Sequence, residues 1–185
     1  SVVMTLVKEM PSIYNCTFTQ GFRLGKYEIE PGATGALNND FPFLRYTEVL
    51  MMKAESLLRT GRAAEAAAIV TEVRGRSFDN PADAEVTGTE LQGDTTWQYG
   101  TLKEDGTIDE AGDQSVVPYG RFLDELGWEF AGEAHRRTDL IRFGVFQTKN
   151  WYNHTPQGDH TILFPIGLEQ LNTNSNLDQN PGYIK

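Results

Sequence analysis

The stretch EFAGEAHRRTDLIRFG, residues 129 to 144, gathers two glutamates, a histidine, an aspartate and three arginines. Phe130, Ala131, Leu140, Ile141 and Phe143 are interleaved with them. Just upstream, Glu125, Glu129 and Glu133 recur every fourth residue, the spacing that places side chains on one helical face. Two chemistries fit this set. Hydrolysis of a glycosidic bond needs one carboxyl as acid and another as base or nucleophile, on either side of the bond. The other is an ion-pair lattice between helices. Like charges four residues apart repel by a few tenths of a kcal/mol, so such a helix needs cations opposite them. Candidates are Arg45 and Lys53, Arg74 and Arg76, and Arg136 or Arg137 on the same helix. Helix faces packed on helices are seldom open clefts, so the pattern favours a structural lattice. Its expected members are Glu125, Glu129, Glu133, Arg136, Arg137, Asp139 and Arg74.

Other chemistry finds little support. GEAHRR around His135 is neither the His-Glu-x-x-His spacing of zinc proteases nor the Glu-x-x-His pair of di-iron bundles. His154 and His160 have no second ligand at a telling distance, so no metal is expected. Cys16 has no recognisable base beside it and reads as a small buried hydrophobe. No phosphate-cradling loop, nucleophile elbow or cysteine pair is present, and no cofactor is expected.

Aromatic residues in polar loops say more. Trp97 and Tyr99 in DTTWQYG, and Trp151 and Tyr152 in KNWYNH, have no periodic apolar face to explain them. A flat ring flanked by Asn, Gln and Asp suits the apolar face and hydroxyls of a pyranose. These four are the expected ligand contacts; the competing role is to staple loops to a helical body.

The elements that position these residues follow from periodicity. RYTEVLMMKAESLLRTG repeats apolar residues at helical spacing and stops at Gly61; RAAEAAAIVTEVRGRS follows at once. Two helices joined so closely form an antiparallel αα-hairpin, here over residues 42–77. Its many alanines let the backbones approach closely, as in tetratricopeptide pairs, and one such pair needs neighbours to cover its face. Residues 1–41 read as extended chain with turns at Pro31-Gly32 and Asn38-Asn39. Residues 78–118 form an irregular insertion with a small hairpin turning at Asp105-Gly106. One long helix is expected from Tyr119 to about Phe143, followed by a polar tail to residue 185. The fold class is therefore mainly α.

Composition limits the partners. The 185 residues carry a net charge of -10, which disfavours nucleic acid and anionic membrane surfaces and works against small acidic substrates unless a local patch overrides it. No stretch approaches the length of a membrane span, and the start SVVMTLVKEMPS is too short and wrongly charged for a signal peptide.

The blocks FLRYTEVLMMKAESLLRTG, AAAIVTEVRGRS, ELGWEFAGEAHRRTDLIRFG and LFPIGLEQLNTNSNLDQNPGY, in that order, resemble the C-terminal part of SusD/RagB-type proteins. The likeness covers roughly residues 22–185 and is weakest over 78–118. Leu126 stands where the family usually has arginine, Gly167 replaces a proline, and Gly132 and Ala134 fill positions that more often hold an aromatic and a glycine. The resemblance implies a SusD-like α/α superhelix and a non-catalytic, surface glycan-binding component of a nutrient-uptake complex with a SusC-type TonB-dependent transporter. It also implies an outer-membrane lipoprotein, anchored through a lipidated amino terminus that this chain lacks and completed by an amino-terminal portion. In that family the Glu- and Arg-rich helix is a packing element. The alternative is a tetratricopeptide-like protein-binding scaffold with no ligand site in this chain.

Overall fold

The structure is a computed structural model that describes residues 7–22, 24–35 and 37–184. Residues 1–6 of the expected extended segment therefore lie outside the described residues, as do Arg23, Ala36 and Lys185. The described residues are mainly helical. Helix α1 (Tyr46–Arg59) buries Met51, Ala54, Leu57 and Leu58 along one stripe, and α2 (Ala63–Gly75) answers with Ala66, Ala67, Val70 and Val73. A three-residue turn joins them, and they pack on each other as the expected hairpin. Small residues at Ala54, Ala66 and Ala67 leave little between the two backbones.

The insertion is better ordered than its composition suggests. A short 3-10 turn (Pro81–Ala84) leads into α3 (Gly88–Gln92), which packs on α2 and buries Leu91. Thr87 caps α3: its hydroxyl accepts from the Glu90 amide at 3.2 Å, and the Glu90 carboxylate accepts from the Thr87 amide at 2.7 Å. The hairpin turns at Asp105-Gly106 as expected, with the Lys103 amide donating to the Thr107 carbonyl at 2.8 Å. Strand β1 (Gly100–Thr101) leaves the hairpin and pairs in parallel with β2 (Trp151–Tyr152), Gly100 opposite Trp151.

The single long helix expected over 119–143 is in fact two. Helix α4 (Gly120–Glu129) ends at Phe130, and α5 (Arg136–Arg142) starts after a turn. Two residues in the turn have positive φ, Gly132 at 77° and Ala134 at 63°, which a helix cannot contain. At Gly132 a side chain is also barred by space, since a Cβ would stand 2.8 Å from Leu24 Cδ2. The apolar rhythm continues through the break because Phe130, Leu140 and Phe143 still face the core, so periodicity alone does not reveal it. Phe122 and Leu123 of α4 are fully buried beneath α1–α3, and a buried Phe contributes about 2–3 kcal/mol.

Two smaller corrections concern the ends. Cys16 is exposed rather than buried, its thiol donating to the Ser12 carbonyl, because the segment before α1 packs only lightly on the body. The tail closes on helix α6 (Leu168–Thr173) and then, as its Asn-Pro-Gly-Tyr sequence predicts, a turn with Gly182 at φ 86°. Tyr183 folds back, its hydroxyl donating to the Leu163 carbonyl at 2.8 Å.

Candidate functional site

The glutamates come first, because they decide between the two chemistries. Arg45, the residue before α1, is extended and makes no side-chain cap. Its guanidinium instead crosses to the α4–α5 turn. Nε donates to Glu133 Oε2 at 2.6 Å, while Nη2 reaches Glu129 Oε1 at 2.5 Å and Glu133 Oε1 at 2.8 Å. Lys26 also pairs with Glu133, and Arg76 with Glu129. Glu125 sits between Arg74 at 2.5 Å and Arg121 at 2.6 Å. Burial works to raise the Glu133 carboxyl, but hydrogen bonds from Arg45 and Lys26 outweigh it and hold the group below the usual carboxylate range.

Three expected members lie outside this lattice. Arg136 Nη1 donates to the Leu123 carbonyl at 2.8 Å, and Arg137 donates to the Thr161 carbonyl at 2.7 Å while lying over the Phe146 and Phe164 rings. The break at Gly132 explains this: α5 leaves in a new direction and carries both arginines away from the glutamate face. Asp139 belongs to a second cluster, pairing with Arg142 at 3.0 Å; Arg142 in turn grips Glu55, which Arg59 also holds. Burial nevertheless pushes the Asp139 carboxyl up, whereas Glu55 is held low: burial opposes this, but Arg142 and Arg59 prevail.

These directions fix the pH response. Glu55 and Glu133 have folded pKa values below their unfolded ones, so their contribution is present above pH ~4.3 and lost as pH falls through the folded values. Asp139 works in the opposite direction, since its charged form is disfavoured in the fold, and its protonation relieves part of the loss. The melting temperature should therefore be flat from pH 7 to about 5 and fall below about 4.3. A scanning-calorimetry series showing an acid-side rise instead would contradict the lattice.

The aromatic residues gather elsewhere. A cleft of about 320 Å³ is lined by Trp97, Trp128 and Trp151, with Thr96, Tyr99, Asp124, Gly127, Arg136 and Leu140 completing it. These are all three tryptophans of the chain. Pairing of β1 with β2 brings the Trp97 loop beside Trp151, the Gly100 amide donating to the Asn150 carbonyl at 2.7 Å. Asp124 of α4 anchors the same loop. One carboxylate oxygen accepts from the Thr95 hydroxyl at 2.6 Å, the other from the Thr96 amide at 2.6 Å and hydroxyl at 2.9 Å.

Trp97 is 54% and Trp128 56% exposed, so both present open faces. Trp151 is half-buried, stacked on His154 with ring centroids 3.8 Å apart. Arg121 lies over the Trp128 ring at 4.7 Å. Tyr99 lines the cleft but is only 5% exposed, so its ring is core rather than stacking surface. Tyr152 is not among the lining residues. It packs against Tyr14, centroids 5.3 Å apart, because alternation along β2 sends it to the other side from Trp151. Sequence reasoning missed Trp128, which the helical pattern of α4 disguised; its position between the buried Leu126 and Phe130 left it off the apolar stripe, and that was the available signal.

Among the described residues no group of three His, Cys, Asp or Glu side chains is placed to hold a metal ion.

The profile of the SusD family matches residues 9–161, which takes in the helical hairpin, the insertion, both clusters and the cleft. The chain belongs to the SusD family. It is similar to the starch-binding protein SusD of Bacteroides thetaiotaomicron, 27% identical over 154 residues that make up 79% of this chain and 22% of that protein. It is also similar to SusD-like protein P25 of Formosa agariphila, 28% identical over 137 residues, 70% of this chain and 21% of that one. The chain thus spans about a fifth of the length of these curated relatives. No helix among the described residues is long and apolar enough to cross a membrane.

Proposed function

We propose that this chain is part of a glycan-capturing protein of the SusD type, and that it binds its ligand, without catalysis, in the tryptophan cleft. The observation that carries this reading is the convergence of all three tryptophans on one open cleft. An indole face and a pyranose face match in size and polarity, and the Thr96, Asp124 and Arg136 side chains beside them offer hydrogen-bonding groups. The glutamates support binding over hydrolysis, because Glu125, Glu129 and Glu133 are each held by guanidinium groups rather than facing one another across a gap. The similarity to a starch-binding protein agrees with a sugar ligand. In the whole protein the partner would be a SusC-type TonB-dependent transporter, and its place the cell-surface side of the outer membrane, held by a lipidated amino terminus.

Trp97→Ala tests the cleft. Each stacked ring is worth roughly 0.5–1.5 kcal/mol beyond its buried area, so affinity for a soluble oligosaccharide should fall several-fold. Because Trp97 is half in solvent, the melting temperature should hardly move. Titration followed by fluorescence of the remaining tryptophans reads the affinity; unchanged binding with a lowered melting point would make Trp97 a loop staple.

A second reading is favoured by one other surface. Phe43, Leu44, Tyr46, Val49 and Met52, at the start and outer face of α1, are exposed, and a hollow of about 750 Å³ lies between α1 and α5. On this reading the chain is a tetratricopeptide-like scaffold, and the amino-terminal portion of the same protein covers that face. This reading puts no ligand site in the chain, so the oligosaccharide titration above separates the two; the hollow and the tryptophan cleft share no lining residue.

A further inference from the structure

The tryptophan cleft holds a cation that the lattice leaves out. Among the described arginines only Arg136 and Arg137 have no carboxylate within ion-pair distance. Arg137 is engaged with the Thr161 carbonyl and two phenylalanine rings. Arg136 lines the cleft. Its guanidinium is held against the α4 backbone at Gly127, where a Cβ would stand 2.9 Å from Nη1 and 3.1 Å from Cζ. Nη1 is tied to the Leu123 carbonyl, which fixes the plane of the group. A half-buried guanidinium without a counter-ion, in a protein of net charge -10, is an unusual arrangement.

Tyr99 lines the same cleft with its ring, but its hydroxyl is closed off from solvent beside Thr95 and lies out of a ligand's reach. Burial pushes the Tyr99 phenol up, against the nearby charge of Arg136, so it stays neutral and supplies Arg136 with no counter-charge. Among the described residues Asp124 is the one carboxylate lining the cleft; both its oxygens already accept from Thr95 and Thr96, and it forms no ion pair with Arg136. Arg121, behind Trp128, is matched by Glu125.

Resting on the reading of the cleft as a glycan site, we infer that its ligand is an acidic glycan, one sugar stacking on the indoles while its carboxylate or sulfate pairs with Arg136. A guanidinium presents a planar fork that matches either oxyanion, and such charge-assisted bonds are about twice as strong as neutral ones. A wholly neutral chain would stack equally well but leave Arg136 without its counter-charge. The general acidity of the protein works against small anions, and the cleft is the local patch that overrides it.

The test compares three oligosaccharides of equal length, an oligogalacturonate, a sulfated galactan fragment and a maltooligosaccharide, titrated into the 185-residue chain by tryptophan fluorescence and calorimetry. One acidic probe should bind about tenfold tighter than the neutral one, and whichever it is tells carboxylate from sulfate. Arg136→Gln should abolish that difference, and 0.5 M salt should shrink it. Arg136→Lys, which keeps the charge but loses the planar fork, should weaken the acidic probe several-fold with little loss of melting temperature. It serves alone if Arg136→Gln fails to fold. Equal or tighter binding of the maltooligosaccharide, unchanged in both variants, would overturn the acidic class while leaving the glycan site standing. No fluorescence response to any of the three would remove the site, and this inference with it.

Discussion

Replacing Arg45 by alanine should destabilise the protein by about 3–5 kcal/mol, the cost of removing one partner from a buried ion pair. Arg45 alone bridges two carboxylates on the α4–α5 turn and ties that turn to the start of α1. Glu133 is 3% exposed, so without Arg45 its charge keeps, among the described residues, only Lys26 as partner, in an interior that stabilises charge poorly. The Arg45 guanidinium also lies over the Phe130 ring at 4.9 Å, and that contact is lost too. Chemical denaturation monitored by circular dichroism reads the loss directly. Adding Glu133→Gln to Arg45→Ala should restore part of it, because the stranded charge is gone. A double variant no more stable than Arg45→Ala would mean that packing on Phe130, not charge, is what Arg45 supplies. Neither variant should alter oligosaccharide affinity more than twofold, because the lattice and the cleft share no residue.

Asp124→Ala should act on stability and binding together. It strips the acceptor from three hydrogen bonds and leaves the Thr95 and Thr96 hydroxyls and the Thr96 amide to find water. Bonds to a charged group are worth about 1.5–3 kcal/mol each, and with water able to replace part of them the net loss should be roughly 3 kcal/mol. The Trp97 loop, no longer pinned to α4, should also lose its order, and sugar affinity should fall at least as far as with Trp97→Ala. Hydrogen exchange of residues 94–99 locates the effect: faster exchange confined to that loop is expected, and uniform loosening would show that Asp124 instead supports the whole of α4.

The sequence by itself determined the parts that depend on near neighbours. The αα-hairpin follows from apolar spacing at Tyr46, Val49, Leu50, Ala54, Leu57 and Leu58 and a short join with its stop at Gly61. The turn at Asp105-Gly106 and the one at Pro181-Gly182 follow from residues that tolerate the required φ. A need for cations opposite Glu125, Glu129 and Glu133 follows from their repulsion, and Arg74 and Arg45 were within reach of that argument.

Tertiary structure decided what depends on direction in space. The turn at Gly132 and Ala134 is invisible to periodicity, because apolar residues on both sides face one core; yet it swings α5 away and separates Arg136 and Arg137 from the glutamates. Tyr99 and Tyr152 looked alike in sequence, polar-loop aromatics beside a tryptophan. Register on a two-residue strand pair puts Trp151 in the cleft and Tyr152 against Tyr14, and burial turns Tyr99 from a stacking face into a single inward hydroxyl. Trp128 joined the site only because Asp124, on the same helix, holds the Trp97 loop to α4. Local propensity sets which turns and helices form, but a binding cleft is a property of segments distant in sequence. Only the packing of Phe122 and Leu123 beneath α1–α3, and the clamp of Asp124 on Thr95 and Thr96, brings those segments to one place.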